Sequence, residues 1–89
     1  MIQTPVIISN KLGLHARASA KLSKLAGSFP CEVRLSRGDR KINAKSIMGV
    51  MMLAAGMGTE VVVETDGPNE AQAMQELLEL INDKFGEGE

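Results

Sequence analysis

The spacing of apolar residues changes along the chain and marks out strands and helices in the order strand, helix, strand, strand, helix, strand, helix. Gln3 to Ser9 carries the apolar run Val6-Ile7-Ile8 and reads as a strand. Pro5 lies inside it, and proline has no N–H for a ladder, so this strand is expected at a sheet edge or with position 5 unpaired. From Ala16 to Ala26 the period changes: Ala18, Leu22, Leu25 and Ala26 share one helical face, while Arg17, Lys21 and Lys24 share another. Gly27 is the stop signal.

Cys31 to Arg37 alternates, with Cys31, Val33 and Leu35 on the side expected to be buried. Gly38-Asp39 turns the chain and Arg40 to Asn43 returns as a short strand, making a hairpin. Arg37-Gly38-Asp39 also spells an adhesion tripeptide, but a turn already accounts for its glycine and aspartate. Ile47 to Leu53 is apolar without alternation and reads as a short helix weakened by Gly49, with Ser46 or a close neighbour as N-cap. So small a helix cannot turn Ile47, Met48, Met51 and Met52 all inward. Part of that cluster is expected at the surface, where methionine makes an adaptable docking patch; filling gaps in the core is the plainer use of the same residues.

Gly56 to Thr59 is a loop, and Glu60 to Glu64 is the clearest strand. After a turn over Thr65 to Pro68, Asn69 is read as the N-cap of a last helix running to about Lys84. Its Met74, Leu77, Leu78, Ile81 and Phe85 form one apolar stripe, opposed by Glu70, Gln72, Glu76, Glu79 and Asp83, so this helix is structural. Gly86 to Glu89 is expected to fray. The element order predicts a single α/β (α+β) domain over residues 1–89: a two-layer sandwich with helices on one face of a four-stranded, mainly antiparallel sheet.

Composition narrows the function classes. A net charge of −1 gives no general attraction to nucleic acid, and with two phenylalanines and no tryptophan or tyrosine there are no stacking platforms for single strands. One cysteine, Cys31, excludes an internal disulfide, and one cysteine with one histidine cannot assemble a Cys/His zinc set, so no metal and no cofactor is expected. Met1 to Ser9 has neither a basic start nor a long apolar stretch; the expectation is a cytoplasmic protein with no signal peptide and no membrane insertion. With a lone histidine, no paired carboxylates near it and no Ser-His-Asp spacing, a hydrolytic enzyme is poorly supplied.

That histidine is the candidate chemistry. His15 follows a strand and the tight turn at Gly13, and it stands where the apolar period of the first helix begins. The first N–H groups of a helix have no intrahelical partner, and with the peptide dipoles they form a site for anions such as phosphate. The same positive end disfavours imidazolium by roughly 0.3 to 2 kcal/mol, favouring a neutral ring with a nucleophilic lone pair. Arg17 adds planar donors that suit phosphate oxygens. Read alone, His15-Ala16-Arg17 is equally an ordinary loop histidine beside a solvated arginine, and the basic stripe of Arg17, Lys21 and Lys24 an ordinary solvated face.

The wider string shifts the weight between these. Asn10-Lys11-Leu12-Gly13-Leu14-His15-Ala16-Arg17 closely resembles the phosphorylation motif of the HPr family, the histidine-containing phosphocarriers of the phosphoenolpyruvate-dependent sugar phosphotransferase system. Asn43-Ala44-Lys45-Ser46-Ile47-Met48-Gly49-Val50-Met51 resembles the regulatory serine segment of that family, and the element order is the family's too. The resemblance implies that the histidine at the place of His15 takes a phosphoryl group from enzyme I on ring atom Nδ1 and passes it to IIA proteins or domains, with Arg17 assisting. Ser46 matches the serine modified by an HPr kinase/phosphorylase in organisms that possess one; an unmodified helix cap is the plainer reading. Lys21, Lys24, Ile47, Met48 and Met51 are the expected partner-docking residues of a monomer. Where this chain has Ala18 the family most often has proline, which implies a looser helix start but no change of chemistry. Two rivals stand beside this reading: a carrier of the nitrogen-related regulatory branch, and a regulatory binding domain of similar architecture whose His15 is never phosphorylated.

Overall fold

A computed structural model describes residues 1–88, and these form one four-stranded sheet covered on one face by three helices. The strands are β1 (Ile2–Ile7), β2 (Glu32–Arg37), β3 (Arg40–Asn43) and β4 (Glu60–Asp66); the helices are α1 (Ala16–Gly27), α2 (Ile47–Met52) and α3 (Glu70–Asn82), followed by a 3-10 turn at Lys84–Gly86. The order across the sheet is β1-β4-β2-β3 and every pairing is antiparallel. β1 is therefore an edge strand, as Pro5 demands, and Pro5 sits opposite Val62.

Register sorts the side chains into two faces. Thr4, Val63, Leu35 and Ile42 stand opposite one another across the four strands on the helix side. There Val33, Leu35, Val61 and Val63 meet Ala18, Leu22 and Ala26 of α1 and Ala73, Leu77 and Ile81 of α3 in one buried core. Burying an aliphatic side chain of this size contributes roughly 1.5 to 3 kcal/mol, and α1 and α3 owe their place to these stripes. Leu25, expected on the same stripe, is only partly buried; Ser19 and Ser23 take the space beside it. Ser19 is satisfied there because its hydroxyl donates to the Leu14 carbonyl at 3.1 Å.

The opposite face carries the row Gln3, Glu64, Arg34 and Asn43. Glu64 is 4% exposed yet ionised chemistry suits it: Gln3, Arg34 and Lys41 all donate to its carboxylate. These donors, Gln3 foremost, hold the Glu64 carboxyl down at about 2, well below its ordinary 4.5.

Several boundaries differ from the sequence expectation: β1 ends at Ile7 and not at Ser9, β4 runs on through Thr65 and Asp66, both expected in the turn, and α3 stops at Asn82. Asn69 occupies the cap position of α3 but in the left-handed region at φ 63°, and its side chain makes no capping bond. The Glu70 carboxylate accepts from the Gly67 N–H at 3.0 Å instead. The tail also departs: Phe85 is buried and Glu87 is bonded, so the expected fraying does not hold for Gly86 and Glu87. Glu89 lies outside the described residues. No helix among the described residues is long and apolar enough to cross a membrane.

Candidate functional site

The loop between β1 and α1 is set by one close approach. Gly13 adopts φ +65°, its N–H donates to the Asn10 carbonyl at 3.2 Å, and Leu14 N–H donates to the Ala55 carbonyl at 2.9 Å. A Cβ at position 13 would lie 2.6 Å from both the Ala55 oxygen and the Gly56 Cα. Only glycine fits a turn pressed so near another backbone. The loop is thereby pinned to the segment following α2, and the chain enters α1 at His15 in extended geometry, φ −73° and ψ 178°.

His15 is the N-cap of α1, and its ring does the capping: Nδ1 accepts from the Arg17 N–H at 3.3 Å. The other ring nitrogen, Nε2, is 2.5 Å from Oε2 of Glu87. A neutral ring that accepts at Nδ1 carries its proton on Nε2, which suits a carboxylate partner. The side chain is 27% exposed, so an incoming group can reach it. Glu87 is held further by Asn10, whose buried Nδ2 donates to its Oε1 at 3.0 Å and to the Gly13 carbonyl at 2.8 Å. These donors, Asn10 first and then His15, hold the Glu87 carboxyl below the usual carboxylate range.

Arg17 is exposed, and among the described residues its guanidinium enters no hydrogen bond or ion pair. Lys21, by contrast, is engaged: its ammonium donates to the Phe85 carbonyl at 2.6 Å and so ties the tail to α1. Lys24 is exposed one turn further on. Lys11, Leu12, His15, Arg17, Lys21, Gly86 and Glu87 line a shallow pocket of about 370 Å³. It has three cationic side chains against one carboxylate, a balance that favours a small anion.

Ser46 is exposed and its Oγ accepts from the Gly49 N–H at 3.1 Å as the N-cap of α2. Val50 and Leu53 turn inward, while Ile47, Met48, Met51 and Met52 face solvent, Met48 with 69% of its surface. With no basic residue in its own last turn, α2 is finished from outside: Arg37 donates to the Leu53 and Ala54 carbonyls and Arg40 to that of Met52. The arginine of the Arg-Gly-Asp string thus has a use within the fold.

Sequence reasoning missed Asn10 and Glu87 as parts of this constellation. Asn10 stood inside the motif, but nothing in its spacing said that its amide faces two acceptors. Glu87 meets His15 across 72 residues, a contact that no local period encodes.

A two-layer antiparallel fold with a solvent-reachable histidine capping its first helix defines a class of small phosphoryl carriers. Residues 2–83 match the family model described as the PTS HPr component phosphorylation site. The chain is 63% identical over 89 residues, all of both chains, to phosphocarrier protein HPr of Cupriavidus necator. It is 38% identical over 86 residues, 97% of this chain and 94% of the other, to phosphocarrier protein NPr of Shewanella violacea. Among solved structures, HPr-C-His of Thermoanaerobacter tengcongensis superposes with a TM-score of 0.94 at 39% identity over 98% of each chain, and an HPr dimer from that organism does so at 0.78 over 98% of this chain and 100% of that one. The chain belongs to the HPr family of the phosphoenolpyruvate-dependent sugar phosphotransferase system and is a phosphocarrier.

Proposed function

We propose that His15 is the residue that carries the phosphoryl group, receiving it from enzyme I and handing it to IIA proteins or domains. The observation that supports this most is the placement of Nδ1: it faces the Arg17 N–H at the open end of α1. A phosphoryl group bonded there has the N–H groups of Ala16, Arg17 and Ala18 within its reach, which have no carbonyl partners in the helix, and the unengaged guanidinium of Arg17 beside it.

The protein itself turns over no small molecule and needs no metal or cofactor; it acts as a monomeric single domain in the cytoplasm. Its partners dock across the exposed surface of α2 and the basic side of α1. Ile47, Met48 and Met51 supply adaptable apolar contact and Lys24 supplies charge. Lys21 contributes mainly by holding the tail. Where an HPr kinase/phosphorylase is present, Ser46 is its target. A phosphate there adds about −1.5 to −2 charge at the start of α2, where the helix end favours it, and repels acidic partners from the methionine patch.

The test is intact-mass analysis after incubation with phosphoenolpyruvate and active enzyme I. The expected result is a single phosphoryl increment that brief acid treatment removes and that His15→Ala lacks. An increment that survives in His15→Ala refutes the assignment. Loading only by the nitrogen-branch enzyme I assigns the chain to that branch, and no loading by either donor favours the binding domain with an inert His15.

A further inference from the structure

The tail reaches the site by a costly route. After α3, Lys84 and Phe85 both take φ 56°, left-handed geometry that residues other than glycine rarely adopt. The turn buries the Phe85 ring, presents its carbonyl to Lys21 and lays Glu87 against His15 with 14% of that side chain exposed. Asn10 anchors the arrangement. Its two amide protons are divided between the Gly13 carbonyl and Oε1 of Glu87, so the opposite amide orientation would aim an oxygen at two acceptors.

We propose that Glu87, held by Asn10, is a positioning residue for phosphoryl transfer: its carboxylate accepts a hydrogen bond from Nε2–H of His15, keeps the Nδ1 lone pair available, and balances the charge the ring acquires on phosphorylation. The inference rests on the reading of His15 as the phosphoryl carrier. In the loading step the Nδ1 lone pair attacks phosphorus of a phosphorylated ring nitrogen on the donor protein. The Nδ1–P bond forms as the donor N–P bond breaks, and that bonding pair returns to the donor nitrogen. His15 then bears phosphorus on Nδ1 and hydrogen on Nε2, which makes the ring cationic unless the proton leaves. With Glu87 beside Nε2 the proton stays. Hand-on to an acceptor reverses the same bonds, so Glu87 also sets how firmly the carrier keeps its phosphoryl group.

The charges around Glu87 keep it ready for this role. Lys11, Arg17 and Lys21 line its pocket and Asn10 donates to it, so the carboxylate stays ionised at neutral pH. A transition seen above neutral pH in the phosphorylated chain is therefore not that of Glu87. An opposite charge at contact distance favours the charged form by roughly 1 to 3 pH units, and about one unit is expected for a pair this near to solvent.

The experiment follows the phosphorus resonance of the enzyme I-loaded full chain against pH in wild type, Glu87→Gln and Glu87→Asp. Nitrogen chemical shifts of the unphosphorylated His15 ring in the same proteins report the tautomer. The expected result is a midpoint lower by about one unit in Glu87→Gln, partial recovery in Glu87→Asp, and loss of the Nε2–H preference in unphosphorylated Glu87→Gln. A purely structural tail lowers the melting temperature but moves neither ring signal; unchanged midpoint and tautomer overturn the proposal. If Glu87→Gln resists loading, the tautomer measurement alone decides. A wild-type chain that loads neither from enzyme I nor from its nitrogen-branch counterpart overturns the carrier reading as well, and the first spectrum separates that case from a chain that loads but ignores Glu87.

Discussion

Replacing Gly13 by alanine probes the contact on which the site is built. Two effects add. A side chain at φ +65° costs roughly 1 to 2 kcal/mol. The new Cβ also meets the Ala55 oxygen and Gly56 Cα at 2.6 Å, and because both are backbone, neither can swing aside. Forced backbone movement of that kind costs a further 1 to 3 kcal/mol or so. The total, roughly 2 to 5 kcal/mol, is a large share of the roughly 4 to 13 kcal/mol expected for a chain of this length. Gly38→Ala is the control. Its φ is +58°, but nothing lies within 4 Å of an added Cβ, so it isolates the conformational cost of roughly 1 to 2 kcal/mol. In a domain of this size each kcal/mol moves the melting temperature by about 4–8 °C. Thermal unfolding should therefore show Gly13→Ala falling about twice as far as Gly38→Ala. Where both remain folded, Gly13→Ala alone should load slowly from enzyme I, because misplacing a reacting group by an ångström can cost about 100-fold. Equal melting temperatures for the two variants, or unimpaired loading of Gly13→Ala, would refute the claim that this contact positions His15.

Glu64 gives a signed pH dependence. Its carboxyl is held at about 2 against an ordinary 4.5, so its stabilisation is complete above pH 4.5 and is lost as pH falls towards 2. After allowance for the exposure of Arg34 and Lys41, about 2 kcal/mol is expected; urea titrations between pH 6 and 2 should show Glu64→Gln losing less stability on acidification than wild type, and parallel curves would contradict this. Ser46→Ala removes the acceptor for the Gly49 N–H and should cost about 1 kcal/mol in urea unfolding; no change would mean the cap is idle. Met48→Asp, at a side chain that meets solvent over 69% of its surface, should leave stability within about 0.5 kcal/mol. It should raise the enzyme I concentration needed for half-maximal loading by about tenfold, and unchanged loading kinetics would remove Met48 from the docking face.

The elements with a strong local period were legible in the sequence. The expected stripe of the last helix is buried at Met74, Leu77, Ile81 and Phe85 and only partly so at Leu78, the alternation of β2 has its expected side buried, and Pro5 is at a sheet edge. The surplus of apolar residues in α2 correctly implied that some of its methionines face solvent, since a helix of six residues offers only one inward face. His15 at the mouth of α1 and Ser46 at the start of α2 were visible for the same local reason. What escaped depends on tertiary closure. Glu64 looks like a solvent-side strand residue until Gln3, Arg34 and Lys41 converge on it from the other three strands of the sheet. A tail of alternating glycine and glutamate has no stripe to reveal that Phe85 would fold inward and carry Glu87 to His15. Asn69 looked like a cap by residue type, but a left-handed backbone turns its side chain away from that task.

A carrier must give up what it takes, so the most direct measurement is hand-on. The chain is loaded with phosphoenolpyruvate and enzyme I, freed of both, and mixed with a IIA acceptor while intact masses of the two proteins are followed in time. The account predicts that the phosphoryl increment leaves this chain and appears on the acceptor in equal amount. His15→Ala should show neither loading nor transfer. A phosphoryl group that stays on the chain, or leaves it only as free phosphate while the acceptor mass is unchanged, would contradict the relay.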